Sequence, residues 1–207
     1  KIVGRIAGII NHKFNKTFKK QEVRFTRIDM IDDLEVTKAL IKQIEAWGTS
    51  KGMTDIIGPI GFTDLDRQGL LVDGFDQLSM FITIYNHPYY MEHLEKLGFL
   101  KDVDWIEKKI FWPKEVPHKV KRGSEISKKR YGYRLVKPKN KKEMLKHIYE
   151  AFEMYNIAFE SLYGFFPITD KVMDYYIKQM IMIVQLEYIW FVFDKEDKIV
   201  VFTVIMP

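Results

Sequence analysis

The chain has 207 residues, 47% of them apolar, 29% charged and 14% aromatic, with no cysteine and a formal net charge of +5. Those proportions exclude a disordered or fibrous protein, and the missing cysteine excludes disulfides and thiolate zinc sites. No signal peptide and no apolar run of about 18–20 residues is visible, so we expect a cytoplasmic protein without a membrane span.

The first strand-like run, Ile2 to Ile10, is interrupted by Gly4 and Gly8, a spacing that suits a closely packed strand better than a dinucleotide fingerprint. The polar stretch Asn11 to Gln21 reads as a loop, and Val23 to Met30 as a second strand. The period then changes. Val36, Leu40, Ile44 and Trp47 recur at helical spacing, and Asp32 with Glu35 three residues later has the form of a capping box. Gly48 and Gly52 are expected to end that helix, and Thr54 to Ile57 to form a short strand. A turn-rich region over 61–80 surrounds the apolar patch Leu70-Leu71-Val72, after which Met80 to Tyr85 reads as a strand. Pro88 opens a short helix whose inner side carries Met91, Leu94 and Leu97 and which Gly98 closes. Val103 to Phe111 is a further expected strand.

Composition shifts over 112–130, where Lys119, Lys121, Arg122, Lys128, Lys129 and Arg130 crowd together, and this segment is expected to be a basic linker. Beyond it come a strand, Tyr131 to Val136, and a helix with Met144, Leu145, Ile148, Phe152 and Tyr155 on one face. A second helix, capped by Thr169 or Asp170, turns Val172, Met173, Tyr176, Ile177 and Met180 inward. Tyr188 to Phe193 and Lys198 to Ile205 form a hairpin around the turn Asp194 to Asp197. Strands and helices mixed in this order predict a layered α/β architecture. The chain opens and closes in strand-like runs, and so reads as a piece of a longer protein.

One helix ends Tyr90-Met91-Glu92-His93-Leu94-Glu95-Lys96-Leu97-Gly98-Phe99. Together with Gly58-Pro59, the Gly69 to Asp76 segment and Tyr85-Asn86-His87-Pro88-Tyr89-Tyr90, this resembles the GNAT-type acyl-CoA N-acyltransferase fold, and within it a bacterial group of longer GNAT-like proteins with two modules. The resemblance implies a mixed sheet flanked by helices. Residues 1–111 would be the C-terminal part of one module and 131–207 the N-terminal part of a second, either as separate modules or assembled into one composite domain. It also implies acyl transfer from an acyl-CoA co-substrate to the amine of a small molecule or peptide, without a metal.

The family's chemistry nominates residues here. Its glycine-rich loop, which holds the coenzyme A pyrophosphate, corresponds to Asp29 to Glu35; that segment has no glycine, and its carboxylates at the helix start repel an anion. Where the family places an acid tyrosine, this sequence has Leu94, and Tyr90 one turn earlier is the substitute candidate for general acid. Asp29 and Asp32, at the strand's end, are the candidate bases. His12, His87, His93, His118 and His147 show no metal-ligand spacing, and neither a nucleophile elbow nor a phosphate loop occurs. Two alternatives stand beside the acyltransferase. One is a degenerate GNAT-like binding or scaffold module, and the other a Fem-like transferase using aminoacyl-tRNA, whose RNA the basic linker would meet.

Overall fold

The glycines of the first run are explained by what lies against them. Strand β1 (Gly4–Ile9) is covered so closely that a Cβ on Gly4 would meet Leu40 at 2.9 Å and one on Gly8 would meet Trp47 at 2.8 Å. A helix follows where a loop was expected: α1 (His12–Phe18) starts at Asn11, whose side chain accepts the Phe14 N–H, and buries Phe14 and Asn15. The polar residues of this stretch are therefore cap and buried anchors, a pattern that composition alone reads as loop.

Strand β2 (Glu22–Met30) is the centre of the first sheet, antiparallel to β1 and parallel to β3 (Asp55–Ile57), in the order β1-β2-β3. It is buried on both sides. Val23 and Phe25 face Ile41 and Ile44 of α2 (Leu34–Ser50) and Leu94, each such burial contributing roughly 1.5–3 kcal/mol. Glu22, Arg24 and Thr26 are buried as well, the Arg24 guanidinium bonding Glu22 at 3.0 Å and the Gly61 carbonyl at 3.2 Å above the Phe14 ring. The capping expectation shifts by one residue: Asp33, not Asp32, caps α2 by accepting the Glu35 N–H. Gly48 does not end the helix. It lies within it, where a Cβ would press Val23 at 2.7 Å, so the glycine serves contact with β2.

Helix α3 (Tyr89–Lys96) buries Tyr90, His93 and Leu94. The Asn86 side chain pairs with both the N–H and the carbonyl of Leu71 at 2.7 and 3.1 Å, tying the turn-rich region to the start of this helix. The computed structural model describes residues 1–80 and 83–205, apart from the Met180 side chain. Phe81 and Ile82 of the expected Met80 to Tyr85 strand, and the inward placement of Met180, thus lie outside the described residues; Thr83 to Tyr85 are not strand. Val103 to Phe111 is not a strand either. No neighbouring strand pairs it, and Ile106, Ile110 and Phe111 stand exposed.

The chain is α/β and divides into two compact units, Lys1–Glu107 and Lys108–Pro207. In the second, the segment expected as a linker carries helix α4 (His118–Tyr131), which has no buried residue. Then come β4 (Arg134–Val136), α5 (Lys141–Phe159), α6 (Asp170–Ile183), β5 (Ile189–Phe193) and β6 (Ile199–Val204), the strands forming an antiparallel sheet β4-β5-β6. Met144 and Ala151 of α5 pack on Ile189, Phe191, Phe193 and Ile199, giving this unit a core of its own.

Candidate functional site

Strand β2 loses its neighbour before it ends. β3 pairs only with Glu22 to Arg24, so among the described residues no strand lies on that side of the half of β2 that leads to Met30. Buried backbone groups there still require partners. Helix α3 supplies them: the Met30 N–H donates to the Tyr90 hydroxyl at 3.2 Å, and the Tyr89 hydroxyl donates to the Met30 carbonyl at 2.8 Å. Two tyrosine side chains thus stand in for a strand.

The same helix reaches the two candidate carboxylates. Tyr90, 6% exposed, donates its hydroxyl proton to Asp29 Oδ1 at 2.9 Å. One turn later His93, 5% exposed, places Nε2 3.3 Å from Asp32 Oδ1. Residues three apart on α3 therefore meet residues three apart across the β2–α2 turn. Asp29 and Asp32 both keep their carboxylates largely in solvent, with side-chain exposures of 62% and 68%. Arg5 Nη2 approaches the other oxygen of Asp29 at 3.6 Å, and its exposure makes that pair worth little.

A carboxylate only accepts, so the His93 Nε2 donates towards Asp32. Thr37, fully buried, has its hydroxyl 2.8 Å from Nδ1 and donates to the Asp33 carbonyl at 3.3 Å. Both ring nitrogens are thereby occupied. His93 braces Asp32.

Burial, reinforced by the hydrogen bond to Asp29 and by that charge, pushes Tyr90 up to about 12; the Met30 N–H pulls the other way. Tyr89 is also raised, first by burial and then by the charges of Asp32 and Asp29. Both phenols stay protonated near neutrality and act as donors. Tyr89 lies against Tyr90 and His93 with ring centroids 5.1 and 5.3 Å apart, and stacks on His87 at 5.6 Å. Tyr85 continues the row to Phe75, so the Gly74-Phe75-Asp76 turn ends an aromatic wall that leads to the carboxylates.

Tyr90, Asp29 and Asp32, nominated from the sequence, gather at one place, but Asp32 is tied to His93, not to Tyr90. Sequence reading missed His93, Thr37 and Tyr89. The signal for His93 is its position three residues after Tyr90 on a buried helical face, which a search for metal-ligand spacing does not test. Among the described residues no group of three or more His, Cys, Asp or Glu is arranged to hold a metal, and no helix is long and apolar enough to cross a membrane. The first turn of α2 is occupied by its own Asp33 carboxylate, with Asp32 beside it, so these residues do not fit the diphosphate of a coenzyme A at this helix.

What fold and site define is an α/β protein with two exposed carboxylates, each held by a buried donor, at the open end of a central strand. Among curated proteins the chain is similar to protein YghO of Escherichia coli (strain K12), 29% identical over 175 residues, which cover 82% of this chain and 43% of that protein. It is also similar to the bacterial ceramide synthase of Caulobacter vibrioides (strain NA1000 / CB15N), 24% identical over 201 residues, 91% of this chain and 49% of that protein. The chain thus spans about half the length of the curated relatives it matches. No protein-family model matches it, and no solved structure does.

Proposed function

We propose that the protein is a GNAT-like N-acyltransferase, moving an acyl group from an acyl-CoA to an amine. The observation that carries this reading is Asp29, an exposed carboxylate oriented by the Tyr90 hydroxyl at the end of the central strand. The name of the Caulobacter relative supports it, since a ceramide is an amide of a fatty acid and a long-chain amino alcohol. The amine nitrogen attacks the thioester carbonyl carbon, its proton passes to Asp29, and the carbon–sulfur bond breaks to release the thiolate. A general acid works best with a pKa near the operating pH, and Tyr90 at about 12 is far above it. Tyr90 is therefore a positioning residue for Asp29 in place of an acid for the thiolate. Asp32, braced by His93, is the second acceptor at the mouth of the site, and the diphosphate end of the donor is not assigned to α2.

The test is thiol release from acyl-CoA by the full chain with a panel of amines. Asp29→Asn should lower kcat by about 10²–10⁴ while the thermal midpoint holds, because it removes a proton acceptor and not a packed group. An unchanged kcat removes Asp29 from the chemistry. No thiol release by the folded wild-type protein across the panel leaves the binding or scaffold reading, which the self-capped start of α2 favours.

A further inference from the structure

Positive charge is concentrated in one stretch of the second unit. Residues 108–131 hold nine lysines and arginines against Glu115 and Glu125, a net +7, while the whole chain carries +5. The remainder is thus net negative by two. The same stretch exposes its apolar side chains: Ile110 is 85% exposed, Phe111 79% and Trp112 81%. Val120, Ile126 and Tyr131 of α4 are about half exposed.

Helix α4 sorts these groups by face. At about 100° per residue, Val120, Gly123, Ser124, Ser127 and Tyr131 share an uncharged arc, and Lys119, Arg130, Lys121 and Lys128 flank it. Its C-terminal turn, Lys128-Lys129-Arg130, puts cations where the helix dipole favours them. No residue of the helix is buried, so the face is not part of the unit's core.

We infer that residues 108–131 are a docking surface for an anionic lipid bilayer. Ile110, Phe111 and Trp112 enter the boundary between headgroups and acyl chains, and α4 lies along the headgroups with its cations against lipid phosphates and carboxylates. Insertion of a short apolar segment and attraction by a polybasic one are the two signals that stable surface attachment needs, and here they are adjacent. Charge alone would suit RNA equally. The exposed aliphatics distinguish the two: an RNA surface stacks bases on aromatic rings and arginines, and Ile110, Val120 and Ile126 offer no such face. Lysine also outnumbers arginine here, seven to two, as a diffuse headgroup layer permits and bidentate phosphate recognition does not favour.

The test is co-sedimentation of the full chain with vesicles of phosphatidylcholine, with and without phosphatidylserine, at low and high salt, and it requires no turnover. Binding should be at least tenfold tighter to the anionic vesicles, and high salt should release most of it. Lys128→Glu with Lys129→Glu and Arg130→Glu should abolish binding. Phe111→Ala with Trp112→Ala should weaken it at least tenfold with the salt dependence retained. These side chains lie outside the core, and circular dichroism of each variant checks that α4, whose last turn loses its favourable cations in the charge reversal, is still helical. Equal binding to neutral and anionic vesicles, or none to either, overturns the proposal. So does tighter binding to tRNA than to anionic vesicles with no loss in the Phe111/Trp112 variant.

Discussion

Tyr90 and Asp29 form the contact on which the proposed chemistry turns, and alkali reads the burial of that phenol, which the contact reinforces. The folded protein holds the Tyr90 proton up to about 12 against an ordinary value near 10. Between those values the native state binds more protons than the unfolded one, so stability falls as pH rises. The contribution is complete below about pH 10, is lost by about 12, and is on the order of 2 kcal/mol. Tyr90→Phe should lack this steep alkaline loss in urea melts run from pH 9 to 12; an identical profile in both proteins would show that the folded state does not hold the Tyr90 proton. At this scale a strand end followed by an acidic helix start marked Asp29 and Asp32, and the family resemblance of the Leu97-Gly98-Phe99 helix end marked Tyr90. The sequence could not supply the pairing. His93 reaches Asp32 only because α3 packs against α2, and no local pattern encodes that distance.

Two helix glycines show how far an element depends on its neighbours. Gly48→Ala in α2 should destabilise by about 1–2 kcal/mol, since its Cβ would press Val23 at 2.7 Å and overpacking outweighs the gain in helix propensity. Gly123→Ala in α4 meets nothing within 4 Å and should stabilise by about 0.5–1 kcal/mol. Thermal denaturation of both variants checks the opposite signs. The elements with strong internal period, α2, α3, α5 and the β5–β6 hairpin, were legible because each buries one regular face. α1 was not, because its buried residues include Asn15 and its cap is Asn11. The run Val103 to Phe111 misled for the opposite reason: it has strand composition, but a strand exists only where another chain segment pairs with it.

At the scale of the whole molecule, each unit has its own sheet and its own core, and the division falls between Glu107 and Lys108. From Lys108 to Pro117 the backbone is neither helix nor strand. Trypsin should therefore cut first after Lys108, Lys109 or Lys114, leaving two fragments that correspond to the units and are separable by mass spectrometry. A first cut inside either core would show that the division does not govern local opening. The basic segment was visible in composition, whereas its helical form was not, since its uncharged arc is mostly Gly and Ser and not an apolar stripe.

The tyrosine pair at Met30 makes the end of β2 its own occupant. Any ligand that takes the Met30 N–H must first evict the Tyr90 hydroxyl, and one that reaches its carbonyl shares an oxygen that already accepts from Tyr89. Affinity at the N–H is then an exchange of one hydrogen bond for another and not a gain. A newcomer succeeds only by contacts made elsewhere. The displaced phenol enters a different environment, so occupancy would register as a tyrosine difference absorbance, an optical signal intrinsic to the protein.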